Sequence, residues 1–122
     1  MQRDMNLVRD ILLSLEAEFS GFAPDHLEIE GYTEAQIGYH ILLLLEAGFV
    51  EGHKTATYDS SSPSAIATRI TWAGHEFLDE ARDKSRWKEA LRLVQEKGGG
   101  AVSIGILTQV LSSLAKQSLG LN

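Results

Sequence analysis

Residues 33–50, TEAQIGYHILLLLEAGFV, constrain the fold of this chain more than any other stretch. Thr33 and Gln36 have the spacing of a capping box, in which each side chain binds the backbone N–H of the other, so a helix is expected to begin here. Gly48 marks its end, because glycine adopts the left-handed conformation that commonly closes a helix. The residues after Gly48 begin a run with high strand propensity. The stretch therefore predicts one helix that runs directly into a strand.

Periodicity predicts the elements on either side of this central helix. Residues 4–19 have the i, i+3, i+4 spacing of a helix, with Asp4 as its N-cap. Its predicted core positions are Val8, Ile11, Leu12, Leu15 and Phe19. Residues 26–30 alternate between polar and apolar and predict a short edge strand. Residues 49–58 and Ala65–Ile70 predict a β-hairpin with a polar, serine-rich loop at its tip.

The C-terminal third of the chain is predicted to be helical. Thr71 is the expected N-cap of a helix with apolar positions at Ala73, Phe77, Leu78 and Ala81. Residues 85–96 predict a second helix, or an extension of the first, whose inward-facing side chains are Trp87, Leu91 and Val94. The three glycines at 98–100 predict a flexible break. Residues 103–119 predict a final helix with an apolar face formed by Ile104, Leu107, Leu111 and Leu114.

This order of elements predicts an α+β fold, namely a winged helix-turn-helix-like domain with a C-terminal helical extension. In such a domain the third helix runs into the first strand of the wing, as residues 33–50 are predicted to do. We expect the winged-helix-like domain at residues 1–97. We expect residues 98–122 to be a glycine hinge and a C-terminal helix, packed on the same domain or on a second subunit.

Three stretches of the chain carry a resemblance to a known family. They are RDMNLVRDILL near the N-terminus, GYTEAQIGYHILLLLEAGFVEG in the centre, and ITWAGHEFLDEARDKSRW after the hairpin. Together they resemble a family of small winged-helix-like proteins of unknown function found in phages, prophages and bacteria, and TWAGHEFL at 71–78 is the most specific piece. The resemblance implies the fold and a mobile-element context. It supplies no catalytic residues.

The predicted central helix is apolar on two faces. At roughly 100° per residue its buried stripe is formed by Ile37, Ile41, Leu44 and Leu45. The opposite face carries Ala35, Gln36, Tyr39, Leu42, Leu43 and Glu46. Leu42 and Leu43 stand where DNA-reading winged helices usually carry basic residues, and leaving a leucine exposed costs about 1.5–3 kcal/mol relative to burial. We therefore expect a cover for them: the C-terminal helix, a second subunit, a partner protein or, least favoured, a DNA groove.

The charges are distributed unevenly along the chain. The net charge is −6, and no Lys or Arg occurs between Asp10 and His53, whereas basic residues are concentrated at 82–97. A protein that binds duplex DNA through phosphates normally places Lys and Arg near its reading helix, and here that helix has none. Duplex DNA is therefore disfavoured as a partner. Should it bind, the candidate contact residues are Lys54, Arg69, Arg82, Arg86 and Lys88.

No pattern in the sequence predicts an enzyme, a cofactor or a metal site. The spacings of the four histidines suit no zinc motif: His26, His40, His53 and His75. His75 begins a near match to His-Glu-x-x-His, but Asp79 stands where the second histidine is required. His40 lies on the flank of the buried stripe, which favours a packing or capping role. The glycine-rich segment 98–105 lacks the Gly-Lys-Ser/Thr ending of a phosphate-binding loop.

Two functions fit these observations. The favoured one is a non-enzymatic interaction protein that self-associates, as a homodimer, or binds a partner or host protein. Its candidate contact residues lie on the outer face of the central helix and on the C-terminal helix: Tyr39, Leu42, Leu43, Leu107, Leu111 and Leu114. The alternative is a transcriptional regulator that binds double-stranded DNA as a dimer.

The composition favours a soluble cytoplasmic protein. The longest apolar run, at 41–45, is far shorter than the ~20 residues that span a bilayer, and the N-terminus has no apolar signal-peptide core. The absence of cysteine excludes disulfides and thiolate metal sites and fits a reducing compartment.

Overall fold

The structure is a computed structural model that describes residues 1–24, 26–55, 61–97 and 103–121. These residues form a mixed α+β arrangement of five helices and one two-stranded antiparallel sheet. In chain order the elements are α1 (Met5–Glu16), α2 (Glu34–Glu46), β1 (Val50–Lys54), β2 (Ala65–Ile70), α3 (Trp72–Ala81), α4 (Lys84–Lys97) and α5 (Ile104–Ser118).

The chain divides into two compact units, Met1–Glu76 and Phe77–Asn122, called unit 1 and unit 2 below. The division falls within α3. The hinge expected from the glycines at 98–100 lies outside the described residues, and the domain boundary at residue 98 stays a prediction. In unit 1, α1, α2 and the two strands pack on one another to form the core.

Helix α1 begins as its sequence predicts and ends earlier. Asp4 is the N-cap, and its Oδ1 accepts hydrogen bonds from the backbone N–H groups of Asn6 and Leu7 at 2.9 and 3.3 Å. The helix ends at Glu16, so the prediction that it continues to Phe19 is wrong. Phe19 lies in the turn beyond the helix and is fully exposed. The i+4 spacing that placed it in the core applies only while the backbone stays helical.

Helix α2 has the capping box that its sequence predicts. The Thr33 Oγ1 accepts from the N–H of Gln36 at 3.1 Å, and the Gln36 Oε1 accepts from the N–H of Thr33 at 2.8 Å. Gly48, with φ +80°, lies just beyond the helix. The buried face differs from the predicted stripe: Leu45 is half-buried, whereas His40 and Gly38 are buried. The stripe is rotated toward His40 because this side chain bonds to the start of α1.

The hairpin forms at the predicted place, and its second strand has the predicted bounds. Val50 pairs with Ile70 and Glu51 with Arg69, but Gly52 pairs with Ala67, so Thr68 is an extra residue on β2. This bulge changes which residues face the core along β2: Ala65 and Ala67 are buried before it and Ile70 after it. Strand β1 ends at Lys54, and the remaining part of the predicted first strand extends into residues 56–60, outside the described residues.

The short edge strand predicted at 26–30 is wrong. Among the described residues before α2, the contact with the sheet edge is made by Ala23, whose N–H donates to the Thr68 carbonyl at 2.9 Å. Residues 26–30 have no strand pairing. Alternation of polar and apolar residues shows which side chains are inward, and it does not show whether a partner strand is within reach.

Helix α3 begins with its backbone close against the hairpin. Thr71 is its N-cap: the Oγ1 accepts from the N–H of Gly74 at 3.1 Å and donates to the carbonyl of Gly48 at 2.6 Å. A Cβ on Gly74 would overlap the carbonyl oxygen of Phe49. Glycine is therefore required here because two backbones approach each other closely. Of the apolar positions predicted for this helix, Phe77, Leu78 and Ala81 are buried and Ala73 is exposed.

Unit 2 is built from helices, as predicted. Helix α5 packs on α4. Trp87 is buried and meets the Phe77 ring edge-to-face at 6.2 Å between centroids. Ser112 on α5 donates to the Glu80 carboxylate at 2.8 Å. The predicted inward residues Leu91 and Val94 are buried as well.

Candidate functional site

The outer face of α2 is the candidate site in unit 1. Tyr39, Leu42 and Leu43 lie on this face and are all half-buried, and the exposed Ala35 and Glu46 lie near its two ends. Helix α2 contains no Lys or Arg. The face can therefore contact another apolar surface, whereas it has no cation to offer a phosphate.

An open groove adjoins this face. Leu42 lines it together with Lys54 and Thr55 at the end of β1 and with residues 61–64 of the hairpin loop. Its volume is about 340 Å³. The described side chains that line the groove are aliphatic or carry a hydroxyl group, apart from the ammonium group of Lys54. The groove can therefore accept an apolar side chain beside a hydrogen-bonding group. The described residues that line it include no carboxylate or imidazole for acid–base chemistry.

A polar cluster holds α2 against the start of α1. His40 is only 1% exposed. Its Nε2 accepts from the N–H of Asp4 at 2.8 Å, and its Nδ1 lies 2.8 Å from the carbonyl oxygen of Gln36. Because a carbonyl only accepts, Nδ1 carries the proton and the ring is the neutral Nδ1–H tautomer. The packing or capping role expected for His40 is thereby confirmed.

Tyr32 completes this cluster. Its hydroxyl donates to the Oδ2 of Asp4 at 2.9 Å. Burial, the hydrogen bond to Asp4 and the negative charges of Asp4 and Asp10 together raise the pKa of the Tyr32 hydroxyl to about 12. No local sequence pattern predicts this contact, because it joins residues 28 positions apart.

The three candidate arginines for DNA contact already have acidic partners. Arg69 binds the Glu51 carboxylate with two hydrogen bonds, Nε to Oε2 at 3.0 Å and Nη2 to Oε1 at 2.9 Å. Its remaining Nη1 donates to the carbonyl of Ile70 at 2.8 Å. Arg82 pairs with Asp79 at 2.9 Å, and Arg86 makes a long pair of 4.0 Å with Asp83. Of the five candidates, only Lys54 and Lys88 form no ion pair among the described residues.

The candidate contact residues on α5 differ in exposure. Leu107 and Leu111 have no accessible surface. They are core residues of unit 2, so we leave them out of the proposed contact surface. Leu114 is half-buried and lines an open groove of about 360 Å³ between α4 and α5. The other residues of this α4–α5 groove are Ser85, Arg86, Glu89, Gln117 and Ser118.

Comparison with known proteins decides the family. Residues 2–100 match the family described as hypothetical protein (DUF2513). The chain belongs to the DUF2513 family. A relative from Haemophilus influenzae, described as an uncharacterized protein, is 30% identical over 122 residues, which cover 98% of this chain and 99% of the relative. No solved structure matches the chain.

The DUF2513 match covers the described elements from α1 to α4 and ends before α5. The expected membership of a family of unknown function is confirmed. The mobile-element context and the winged-helix fold that the resemblance implies stay predictions.

The histidines of this DUF2513 protein do not converge. His40 lies in the polar cluster, His26 lies 3.4 Å from the Glu28 carboxylate, and His53 and His75 are exposed. Within the described ranges, no three His, Asp or Glu side chains form a group that could hold a metal ion. The same ranges contain no helix with the length and apolarity needed to cross a bilayer.

Exposed aromatic side chains are the feature of this DUF2513 protein that the sequence analysis missed. Phe19 is fully exposed, Phe22 is 68% exposed and Trp72 is 81% exposed. Gly21, with φ +84°, lies between the two phenylalanines, and this glycine is the sequence feature that indicates a turn here. A Phe-Ser-Gly-Phe sequence near the end of a helical pattern is more typical of a turn than of a further helical turn.

Proposed function

We propose that this DUF2513 protein is a non-enzymatic interaction protein on a winged-helix-like scaffold, acting through protein–protein contacts made by the outer face of α2. In this interpretation α2 corresponds to the third helix of the winged helix and the β1–β2 hairpin to its wing. The proposal rests mainly on one observation. The α2 face presents Tyr39, Leu42 and Leu43, half-exposed and apolar, where a DNA-reading helix presents cations.

The connection between α1 and α2 also favours protein contacts over DNA. A helix-turn-helix reads DNA with one helix in the major groove, while the helix before it crosses the phosphate backbone. The described parts of this connection, residues 17–24 and 26–33, contain no helix. The helix before α2 is therefore α1, which is separated from it by residues 17–33, whereas the two helices of a helix-turn-helix are joined by a turn of about three or four residues.

Charge supports the same proposal. Unit 1, which contains α2, carries twelve Asp and Glu against four Lys and Arg, a formal net charge of −8. Such a unit repels phosphates, and affinity for duplex DNA depends on the number of phosphates that a protein neutralises. A protein surface has no comparable requirement, because the centres of protein interfaces are apolar and poor in charge.

The partner of the α2 face is a second copy of the chain, as a homodimer, or a partner or host protein. A homodimer of this kind is isologous, so the same α2 residue of each copy lies near the symmetry axis. The alternative function is a dimeric regulator that binds double-stranded DNA, with Lys54 and the hairpin loop as the phosphate contacts. The groove that joins Lys54 to three serine residues supports this alternative.

The test replaces the apolar face by charge and compares it with a matched change. Leu42→Lys/Leu43→Lys adds two ammonium groups to the contact surface, and Ala73→Lys/His75→Lys adds two ammonium groups at exposed positions of α3 in the same unit. We expect the first variant to lose the homodimer, measured as mass by light scattering, and the second to keep it. Equal masses for both variants, with both folded in urea titrations, would contradict the α2 contact.

The chain has no cysteine, which allows a second test of the same contact. A disulfide needs Cα atoms within about 7 Å. In an isologous α2 dimer Tyr39→Cys is therefore expected to link two copies under mild oxidation. Glu76→Cys, at an exposed position of unit 1, serves as the control and is expected to stay unlinked.

A further inference from the structure

Two exposed phenylalanines form a preorganised anchor on unit 1. Three hydrogen bonds of 3.3 Å hold the turn after α1. The N–H of Glu18 donates to the Leu15 carbonyl, and the N–H of Gly21 donates to the Glu18 carbonyl. The N–H of Phe22 donates to the Ser20 Oγ. Phe19 and Phe22 project from this turn. Because the backbone is already ordered, a partner that covers the two rings does not have to order the loop first.

The surroundings of this anchor are acidic. Glu18, Glu28 and Glu30 are exposed on the same connection, and no Lys or Arg occurs between Asp10 and Lys54. An acidic surface with two aromatic anchors is complementary to a basic surface with an apolar hollow. The anchor therefore favours an occupant with positive charge beside exposed apolar atoms.

Unit 2 of the chain carries a surface of that chemistry. It has seven Lys and Arg against five Asp and Glu, a formal net charge of +2. Its α4–α5 groove contains the aliphatic Leu114, the guanidinium of Arg86 and the carboxylate of Glu89. Glu89 is neutralised by its ion pair with Arg92, whereas the ion pair of Arg86 among the described residues is the long 4.0 Å contact with Asp83. A guanidinium binds well to the face of an aromatic ring and to a carboxylate. Lys84 and Lys88 are exposed on the same helix, outside the groove lining, and add to the positive charge of unit 2.

We propose that a second copy of this chain binds head-to-tail, with Phe19 and Phe22 of one copy in the α4–α5 groove of the next and Glu18 facing Arg86. The contact is heterologous, because it joins two different surfaces. It does not use the α2 face and goes beyond the function proposed above. If both contacts form, assemblies larger than a dimer result, and they grow with protein concentration.

The first test removes the anchor and measures self-association by sedimentation equilibrium at low salt. Phe19→Ser/Phe22→Ser is expected to weaken the head-to-tail contact at least tenfold, as the loss of two buried aromatic anchors does in other interfaces. Ile106→Ser is the matched control, since Ile106 is an exposed apolar residue of α5 that lies about 12 Å from Leu114 along the helix. Equal weakening by both variants, or by neither, would overturn the proposal.

The second test asks which surfaces meet. Ser20→Cys lies between the two anchors, and Gln117→Cys lines the groove. We expect a disulfide-linked dimer when the two variants are mixed, and little linkage in either alone. Ser20→Cys mixed with Gln109→Cys is the control, since Gln109 lies about 12 Å further along α5. Linkage of the control pair as strong as that of the test pair, or no linkage in the test pair, would contradict the head-to-tail contact.

The two contacts can fail separately. Adding Leu42→Lys/Leu43→Lys to both cysteine variants leaves the anchor and the groove unchanged. If the head-to-tail contact exists, the mixed pair still links in this background even though the α2 dimer is lost. If linkage disappears with the α2 substitutions, the head-to-tail proposal is wrong and the α2 contact alone explains the association.

Discussion

His40 offers the sharpest test of how unit 1 is held together. It is the buried side chain that joins α2 to the N-cap of α1, through Asp4, and it also bonds to the Gln36 carbonyl within its own helix. Replacement of His40 by Ala removes both hydrogen bonds and leaves a cavity where the ring was. We expect this single change to be among the most destabilising in unit 1.

The expected loss follows from these contacts. Each hydrogen bond contributes about 1 kcal/mol net, and part of the Asp4 contribution is recovered because Asp4 is half-buried and water can reach its N–H. Truncation of a buried ring adds about 2 kcal/mol for lost packing. The free energy of unfolding should therefore fall by about 3 kcal/mol, out of roughly 6–18 kcal/mol for a chain of this length.

Urea unfolding followed by circular dichroism measures this difference. With a slope of about 1.5–2 kcal/mol per molar urea, the midpoint should fall by about 1.5–2 M. His53→Ala is the matched control, because His53 is exposed on β1 and its loss should change stability by less than about 0.5 kcal/mol. A His40→Ala variant as stable as the His53→Ala variant would refute the role given to the cluster.

Two further predictions concern unit 1, each with its own control. Because the fold raises the pKa of the Tyr32 hydroxyl from 10.0 to about 12, the stabilisation that this hydroxyl provides is complete below pH 10 and is lost as the pH rises toward 12. In Tyr32→Phe the urea midpoint should therefore lose this pH-dependent decrease. A pH dependence of the midpoint that is the same in the variant as in the original protein would contradict the prediction. Gly74→Ala should lower the free energy of unfolding by about 1–3 kcal/mol because the new Cβ meets the Phe49 carbonyl. Gly105→Ala, whose new Cβ makes only an ordinary van der Waals contact with the Ser103 hydroxyl, should be neutral or stabilising by up to about 1 kcal/mol; two equal effects in thermal unfolding would show that the close approach at Gly74 is wrong.

The elements that the sequence predicted well are those encoded by neighbouring residues. Helix α2 begins at the capping box of Thr33 and Gln36, and α3 begins at Thr71, because a cap needs only side chains within three residues of the helix start. The hairpin was predictable from two strand-forming runs around a polar loop. The inward positions of α4 follow helical spacing, and Trp87 is buried as expected.

The errors arise where distant parts of the chain decide the outcome. Phe19 continues the spacing of α1, but the helix ends at Glu16, and nothing in the spacing shows this. The alternation at 26–30 predicts a strand, yet the sheet edge at Thr68 is reached by Ala23 instead. At residues 26–30 the pattern is local and the deciding contact is not.

The candidate site was predicted in part for the same reason. The outer face of α2 follows from the 3.6-residue period, and the structure places Tyr39, Leu42 and Leu43 together on it. The burial of Leu107 and Leu111 depends on the packing of α5 against α4, which the sequence left open between the same domain and a second subunit. The pairing of Arg69 with Glu51 depends on strand register, which one sequence does not show.

The function proposed for this DUF2513 protein is to act through protein contacts and not through DNA. Light scattering at low salt, with and without a mixed-sequence DNA duplex, tests it most directly. The account predicts a mass above that of the 13.4 kDa monomer that does not change when the duplex is added. A protein–DNA complex that forms at low salt and dissociates steeply as salt is raised would contradict the account and support the DNA-binding alternative.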